Sequence, residues 1–212
     1  IEEAKAWRQW LLRAVAGKGA ELHIMYGLAG ERRLPELELP WLPGYESSKP
    51  VRIGNAAYDQ FQLDVFGEVL DCLHLGRRFD LNDDSGDWRI ERELLDRLEA
   101  VWQEPDEGIW EVRGPKRHFT HSKLMAWVAF DRAVKDVERF GLDGPIERWR
   151  HLRNQLHREI CDQGFNTDRN TFVQSYGGTN VDAALLMMAE VGFLPANDPR
   201  IVGTVAAVEQ DL

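Results

Sequence analysis

The chain has 212 residues, of which 43% are hydrophobic, and its formal net charge is −10 at pH 7. A chain of this length can bury a sizeable core, as one large domain or two small ones. The acidic balance argues against binding to nucleic-acid backbones or anionic membrane surfaces, which attract basic proteins. We therefore expect no nucleic-acid partner and no membrane partner.

The N-terminal sequence IEEAKAWRQWLLRAV predicts an amphipathic helix over about residues 2–16, because its apolar side chains recur every three or four positions. It lacks the apolar region of a signal peptide. The two cysteines, Cys72 and Cys161, lie far apart at apolar helical positions and are expected to be buried free thiols in a reducing, cytoplasmic compartment. The chain opens inside this helix without a methionine, so we expect a piece of a longer protein, from which any targeting segments could have been removed.

Apolar stripes predict four further helices, at about 55–75, 88–102, 120–140 and 146–162. Two last helices are expected in VDAALLMMAEVG, buried on all sides, and in DPRIVGTVAAVEQDL. Strand-like alternation is limited to a possible short hairpin near residues 22–39. The sequence therefore predicts an all-α fold with about seven helices.

Three long connections separate these helices, at residues 19–53, 105–119 and 164–179, and all three are rich in aromatic and polar residues. The connections at 141–145 and 193–198 are short. In a toroid of helical hairpins, such alternation places the long loops together on one rim, where a site can form. We expect the functional site on that rim.

One segment, DLNDDSGDWRIE, has a spacing that resembles a calcium-binding loop. Asp80, Asn82, Asp84 and Glu91 take its positions 1, 3, 5 and 12, but Ser85 stands where an EF-hand requires glycine. A solvated turn that leads into the third helix is the favoured interpretation over calcium.

Two histidines, His118 and His121, are three residues apart, and the sequence offers no third ligand beside them. Capping or polar lining of the fourth helix is favoured over zinc. Phosphate-binding, dinucleotide-binding and serine-hydrolase motifs are missing from the sequence. We expect no metal and no cofactor.

The loop PDEGIWEVRG, residues 105–114, places Trp110 beside Glu111. A carboxyl held against an indole in a dry pocket loses hydration, which raises its pKa and allows it to donate a proton near neutral pH. Arg113 could oppose this by stabilising the anion, or could bind substrate hydroxyls. A buried tryptophan next to an ordinary exposed glutamate is equally compatible with the sequence. Aromatic faces beside hydrogen-bonding groups suit sugar rings, and the long loops or their edges carry Trp41, Tyr45, Trp102, Trp110 and Tyr176.

Three segments resemble the glucoamylase-like glycoside hydrolases of family 15, especially the bacterial glucoamylase and trehalase-like branch. They are LPWLPGYESSKPVRIGNAAYDQFQLDVFGEVLDCL, PDEGIWEVRGPKRHFTHSKLMAWVAFDRAV and TFVQSYGGTNVDAALLMMAEVGFLPANDPRIVGTV. The resemblance covers nearly all of the chain and implies an (α/α)6 barrel that hydrolyses α-glucosidic bonds with inversion at the anomeric carbon. Residues 1–212 are then expected to form one partial catalytic domain, truncated at both ends.

The resemblance also implies roles for individual residues. Glu111 matches the general acid of the family's Trp-Glu motif, and substrate-binding positions are implied for Arg52, Asn55, Trp110, Arg113, Tyr176 and Asp182. An inverting glycosidase needs a second carboxylate as general base. The family's base-bearing loop is not recognisable after Tyr176, and its upstream Trp-Leu-Arg-Asp motif is expected before Ile1. We therefore expect the base outside this chain.

Two hypotheses of different classes follow. The full-length protein is expected to be an inverting α-glucoside hydrolase with a carbohydrate substrate, with trehalase, glucoamylase and dextran-type specificities all open. The alternative is a non-catalytic α-helical interaction scaffold derived from the same fold. The isolated 212-residue chain is expected to be inactive and to self-associate through exposed apolar barrel surface.

Overall fold

A computed structural model describes residues 2–16, 22–81 and 86–212. Within these ranges the chain forms seven α-helices and four two-residue strands. None of these helices is long and apolar enough to cross a membrane. The helices are α1 (Glu2–Val15), α2 (Asp64–Arg78), α3 (Gly86–Val101), α4 (Thr120–Phe140), α5 (Ile146–Gln163), α6 (Met187–Glu190) and α7 (Pro199–Asp211). The strands are β1 (Leu37–Glu38), β2 (Arg52–Ile53), β3 (Phe165–Asn166) and β4 (Thr171–Phe172).

Helix α4 is the centre of the packing. Every residue from 120 to 134 is buried, and the helix packs against α2 on one side and α5 on the other. The approach of α2 is close because Gly67 has no side chain: a Cβ at this position would lie 2.2 Å from the carbonyl oxygen of Met125. Gly141 ends α4 in the left-handed conformation that glycine favours.

The predicted second helix is wrong over its first nine residues. Asn55 accepts a hydrogen bond from Ala57 N at 2.9 Å through its side chain and so caps a short 3₁₀ turn, Ala56–Asp59. The α-helix begins only at Asp64. Asparagine competes for backbone N–H groups in this way, and this favours caps and turns over helix interiors.

The segment VDAALLMMAEVG does not form the single, fully buried helix that was predicted. It divides into a 3₁₀ turn, Ala183–Leu186, and the one-turn helix α6. Leu186 and Glu190 are exposed while Met188 is buried, so the segment has a solvent face. The fourth helix, in contrast, has the predicted limits.

The hairpin predicted near residues 22–39 is also wrong in its extent. Strand β1 pairs antiparallel with β2, so this hairpin spans residues 37–53. A second antiparallel pair, β3 with β4, was not predicted, because two-residue strands leave no periodic pattern. Cys72 and Cys161 are free, as expected, but they are half-buried rather than buried.

Candidate active site

Glu111 lies in a tight turn on loop 105–119. Its backbone N–H donates to the carbonyl oxygen of Gly108 at 3.2 Å, and its φ angle is 51°. The left-handed conformation costs a non-glycine residue about 1–3 kcal/mol, so it persists only where other contacts hold it. Gly108, with φ 71°, packs so closely on Phe119 that a Cβ would lie 2.7 Å from the ring. The turn is therefore held against the start of α4.

Asn55 orients the carboxyl group of Glu111. Its amide Nδ2 donates to Oε2 of Glu111 at 3.3 Å, while its Oδ1 caps the 3₁₀ turn through Ala57 N. The cap fixes the orientation of the amide, because Oδ1 is committed as an acceptor and Nδ2 is left to donate. Asn55, which was predicted from the resemblance, therefore reaches the predicted acid directly.

The surroundings of Glu111 differ from those expected. Glu111 is exposed, Trp110 is 58% exposed, and the indole N–H of Trp110 donates to Oδ2 of Asp182 at 2.8 Å. Among the described residues, neither of the two alternatives that the sequence left open is therefore found: the carboxyl is not kept dry against the indole, and the tryptophan is not buried. Glu111 instead lines an open cavity of about 550 Å³, together with side chains that include Tyr26 and Asp64.

Asp182 is buried, and both of its oxygens are occupied. Oδ2 accepts from Trp110 and from Gln174 Nε2 at 3.1 Å, and Oδ1 accepts from Ala184 N at 2.9 Å. The aspartate caps the 3₁₀ turn after it and holds the indole in one orientation. Its contacts are those of a residue that positions Trp110.

The two predicted arginines meet at a carboxylate that the sequence analysis did not single out. Glu36 accepts from Arg113 Nη2 at 3.2 Å and pairs with Arg52 Nε at 3.4 Å. Arg52 also pairs with Glu38 at 3.2 Å. Glu36 thus ties the base of the β1–β2 hairpin to the loop that carries Glu111. Exposed ion pairs such as these contribute little to stability. They do hold the guanidinium groups of Arg52 and Arg113 beside the loop that carries Glu111.

Tyr176 connects the third long loop to the second. Its ring stacks on that of His118, with centroids 6.0 Å apart, and its backbone N–H donates to the His118 carbonyl at 3.0 Å. Phe119 and Ser175 add a bridge between the same loops. Together with the Glu36–Arg113 pair, these contacts join the second long loop to each of the other two.

In the part of the chain that the structure describes, the residues of the two motifs weighed for metal binding do not form a ligand cluster. Of the calcium-like positions, 82 and 84 lie outside the described residues, and Glu91 is buried in an ion pair with Arg77. His121 is buried with both ring nitrogens unpartnered, and burial lowers its pKa to about 4. Within the described ranges, groups of three or more possible ligands are absent.

Sequence reasoning also missed the residues that hold the loop in place. Asp106 accepts from Leu63 N at 2.9 Å, and Glu107 accepts from Phe61 N at 2.9 Å. The buried Lys123 donates to the carbonyls of Trp102 and Glu104. The available signal was a lysine inside the apolar run of α4, where a cation needs a nearby partner. The set of loop anchors is Asp106, Glu107 and Lys123.

Comparison with known proteins places the whole chain in a sequence family. The family model for glycosyl hydrolases family 15 matches residues 1–212. A trehalase from Mycobacterium tuberculosis is 41% identical over 191 residues, which are 90% of this chain and 28% of that protein. A trehalase from Thermoplasma volcanium is 39% identical over 169 residues, which are 80% of this chain and 27% of that protein. The chain thus spans less than a third of the length of these relatives.

Solved structures share the arrangement of the helices. A glycosidase variant in complex with glucose superposes with a TM-score of 0.68 at 21% identity, over 98% of this chain and 54% of that chain. A wild-type glycosidase gives a TM-score of 0.64 at 21% identity, over 81% of this chain and 47% of that chain. The predicted fold is confirmed: the helices form part of an (α/α)6 barrel.

Proposed function

The chain belongs to family 15 of the glycosyl hydrolases, and we propose that the full-length protein hydrolyses α-glucosidic bonds with inversion at the anomeric carbon. Trehalose is the favoured substrate, because relatives that are 39–41% identical to this chain are trehalases. The proposal concerns the full-length protein, since the chain covers only 28% of the first of these relatives.

Glu111 is the proposed general acid, and its contact with Asn55 is the observation that carries this role. The Asn55 amide donates to Oε2 at 3.3 Å, which leaves Oε1 free to carry the proton that is transferred. The left-handed φ of Glu111 supports the assignment, because such backbone strain is concentrated at functional sites. In this role Glu111 protonates the glycosidic oxygen as its bond to the anomeric carbon breaks.

A second carboxylate is required to activate water on the opposite face of the sugar, about 6.5–9.5 Å from the acid in inverting enzymes. We assign this general base to a part of the full-length protein beyond residues 1–212. The isolated chain then carries the acid alone and is expected to have no hydrolytic activity.

The neighbouring side chains suit a sugar. Trp110 exposes much of its ring, and the bond from its N–H to Asp182 fixes the orientation of that ring, so a pyranose can stack on it without ordering the side chain first. Arg113 and Arg52 present guanidinium donors beside the acid loop. These donors can bind sugar hydroxyls.

Product analysis tests the proposal. The full-length protein is incubated with trehalose, maltose and isomaltose, and the anomers released at early times are followed by NMR. We expect trehalose to be hydrolysed fastest and to yield one α-glucose and one β-glucose in each turnover. Release of α-glucose alone from trehalose would contradict inversion, and failure to hydrolyse all three sugars would contradict the proposed activity.

A further inference from the structure

One carboxylate, that of Glu36, holds two arginines at the rim of the candidate site. Its Oε2 accepts a hydrogen bond from Nη2 of Arg113 at 3.2 Å, and its Oε1 lies 3.4 Å from Nε of Arg52. Each oxygen therefore faces one guanidinium group, one from strand β2 and one from the acid loop. Because the two oxygens of a carboxylate are rigidly linked, Glu36 fixes the position of one arginine relative to the other.

The backbone before Glu36 is attached to the segment that orients the acid. The backbone N–H of Asn55 donates to the carbonyl oxygen of Leu34 at 3.0 Å. Gly54 approaches the same segment so closely that a Cβ would lie 2.1 Å from the carbonyl oxygen of Pro35. Since the side chain of Asn55 donates to the carboxyl group of the acid, Glu36 extends from a backbone whose position relative to that acid is fixed.

The two arginines are more exposed than the carboxylate that holds them. The side chain of Glu36 is 21% exposed, against 44% for Arg52 and 63% for Arg113. A guanidinium group has five N–H donors, and among the described residues Arg113 uses one of them on Glu36. Arg52 also donates to Glu38. Two positive charges thus face two negative charges, an arrangement that suits the hydroxyl groups of a neutral sugar better than an anion.

We propose that Glu36 is a positioning residue for substrate binding: it holds Arg52 and Arg113 together, so that their remaining N–H groups can bind the hydroxyls of one sugar. The proposal rests on the function proposed above, in which these two arginines contact the sugar. Ordering a long, flexible side chain at the moment of binding reduces the affinity for the ligand. Glu36 avoids this loss because it orders both arginines before the sugar arrives.

Trehalose binding by the full-length protein tests the proposal. Binding is measured by calorimetry in a Glu111→Gln background, which prevents turnover. Glu36→Gln replaces the carboxylate by a neutral amide of the same shape, which removes the charge that holds both guanidinium groups. We expect the Kd for trehalose to rise by about threefold to tenfold, which is the effect of losing one net hydrogen bond. Equal Kd values in Glu36→Gln and its parent would overturn the proposal.

Glu38→Gln is the matched control. Glu38 carries the same charge on the same hairpin, and among the described residues it pairs with Arg52 but not with Arg113. Because Glu36 still holds both arginines in this variant, the Kd for trehalose is expected to change by less than about twofold. A loss of affinity as large as that of Glu36→Gln would show that the charge of the hairpin matters and not the bridging carboxylate, and would contradict the proposal.

A double-mutant cycle separates positioning from direct contact between Glu36 and the sugar. Arg113→Met removes one of the two groups through which Glu36 acts. The rise in Kd that Glu36→Gln causes should therefore be smaller in the Arg113→Met background than in the parent, since interacting residues are not additive. The same fold-change in both backgrounds would show that Glu36 acts independently of Arg113, and would overturn the proposal.

Stability and kinetics distinguish a positioning role from a structural one. Exposed ion pairs contribute little to stability, so the melting temperature of Glu36→Gln should stay within about 3 °C of that of its parent. A much larger fall would show a structural role and overturn the proposal. With Glu111 intact, Glu36→Gln should raise KM while kcat changes little, because binding of the ground state is what it weakens. A fall in kcat at unchanged KM would contradict this.

The binding data also separate this inference from the proposed function. Failure of the parent protein itself to bind trehalose would reject the proposed substrate and the role of Glu36 together. Binding by the parent that Glu36→Gln leaves unchanged would overturn the role of Glu36 alone. Weaker binding in Glu36→Gln, with Glu38→Gln close to the parent, is the result that the proposal predicts.

Discussion

The indole N–H of Trp110 donates to Oδ2 of Asp182 at 2.8 Å, although the two residues lie 72 positions apart in the sequence. This bond joins the acid loop to the segment that follows the third long loop. Because Asp182 is buried and also accepts from Gln174 and Ala184, it forms a fixed support for the residue adjacent to Glu111. Changes at Asp182 are therefore expected to reach the acid through Trp110.

Replacing Asp182 by alanine is expected to reduce both stability and turnover. The change leaves three donors without their acceptor, which destabilises the protein by about 1–3 kcal/mol if one of them stays unsatisfied. It also frees the Trp110 ring, so kcat/KM on trehalose should fall. Thermal melts and steady-state kinetics of the full-length protein measure the two effects. The control, Asp168→Ala at an exposed position, should change neither stability nor kcat/KM. An Asp182→Ala variant with wild-type kcat/KM would contradict the role of Asp182 in supporting Trp110.

Two substitutions at Asn55 separate its two contacts. Asn55→Ser keeps a neutral side-chain acceptor for Ala57 N but is too short to reach Glu111, so stability should stay close to wild type while kcat falls. Asn55→Ala loses both contacts and should also destabilise the protein by about 0.5–2 kcal/mol, as lost caps do. Melting and kinetic measurements on the pair test this. Equal kcat in wild type and Asn55→Ser would show that the Glu111 contact has no catalytic effect.

A buried ion network links α2, α3 and α4, and breaking it should destabilise the protein. Arg77 pairs with Glu91 Oε1 at 2.5 Å and with Asp136, and all three side chains are buried. Arg77→Met leaves two buried carboxyls without their cation, which should destabilise the protein by about 3–5 kcal/mol. Arg89→Met, which removes an exposed pair with Glu93, should cost at most about 0.5 kcal/mol. Chemical denaturation of both variants checks the contrast, and similar losses would contradict it.

The buried imidazole of His121 is expected to make the folded protein less stable in acid. Burial lowers its pKa from 6.5 to about 4, so the unfolded chain binds a proton between these values that the folded protein does not. The stability that the neutral imidazole contributes is complete above pH 6.5 and is lost as the pH falls towards about 4. The melting temperature of His121→Gln relative to wild type should therefore rise as the pH falls from 7 to 4. A difference independent of pH would show that His121 is not kept neutral by the fold.

The sequence predicted those parts of the fold that leave a long local pattern. Helix α4 carries apolar residues through 21 positions, and its limits were predicted correctly. The start of α2 was not, because one side-chain bond at Asn55 is enough to convert the first turn of the expected helix into a 3₁₀ turn. The strands of the β1–β2 hairpin contain two residues each, which is too short for an alternating apolar pattern, so the sequence did not predict their positions.

The candidate site was predictable only as a set of residues. The motif around Glu111 indicated an acid, and the resemblance named Asn55, Trp110 and Asp182. Asn55 and Glu111 are 56 residues apart, and Trp110 and Asp182 are 72 residues apart. Their contacts depend on the packing of distant segments, which local residue spacing does not predict. The same limit concealed Asp64, which resembles an ordinary polar residue at the start of an amphipathic helix although it is buried in the fold.

Turnover of trehalose by the full-length Glu111→Gln variant tests the central claim most directly. Glutamine keeps the shape of the side chain and an acceptor for Asn55 but cannot donate the acidic proton, so kcat should fall by about 10²–10⁴-fold while trehalose binding, measured by calorimetry, is retained. Glu209→Gln, at an exposed position near the end of α7, is the matched control and should turn over like wild type. A kcat for Glu111→Gln within about threefold of wild type, with the control unaffected, would contradict the assignment of Glu111 as the general acid.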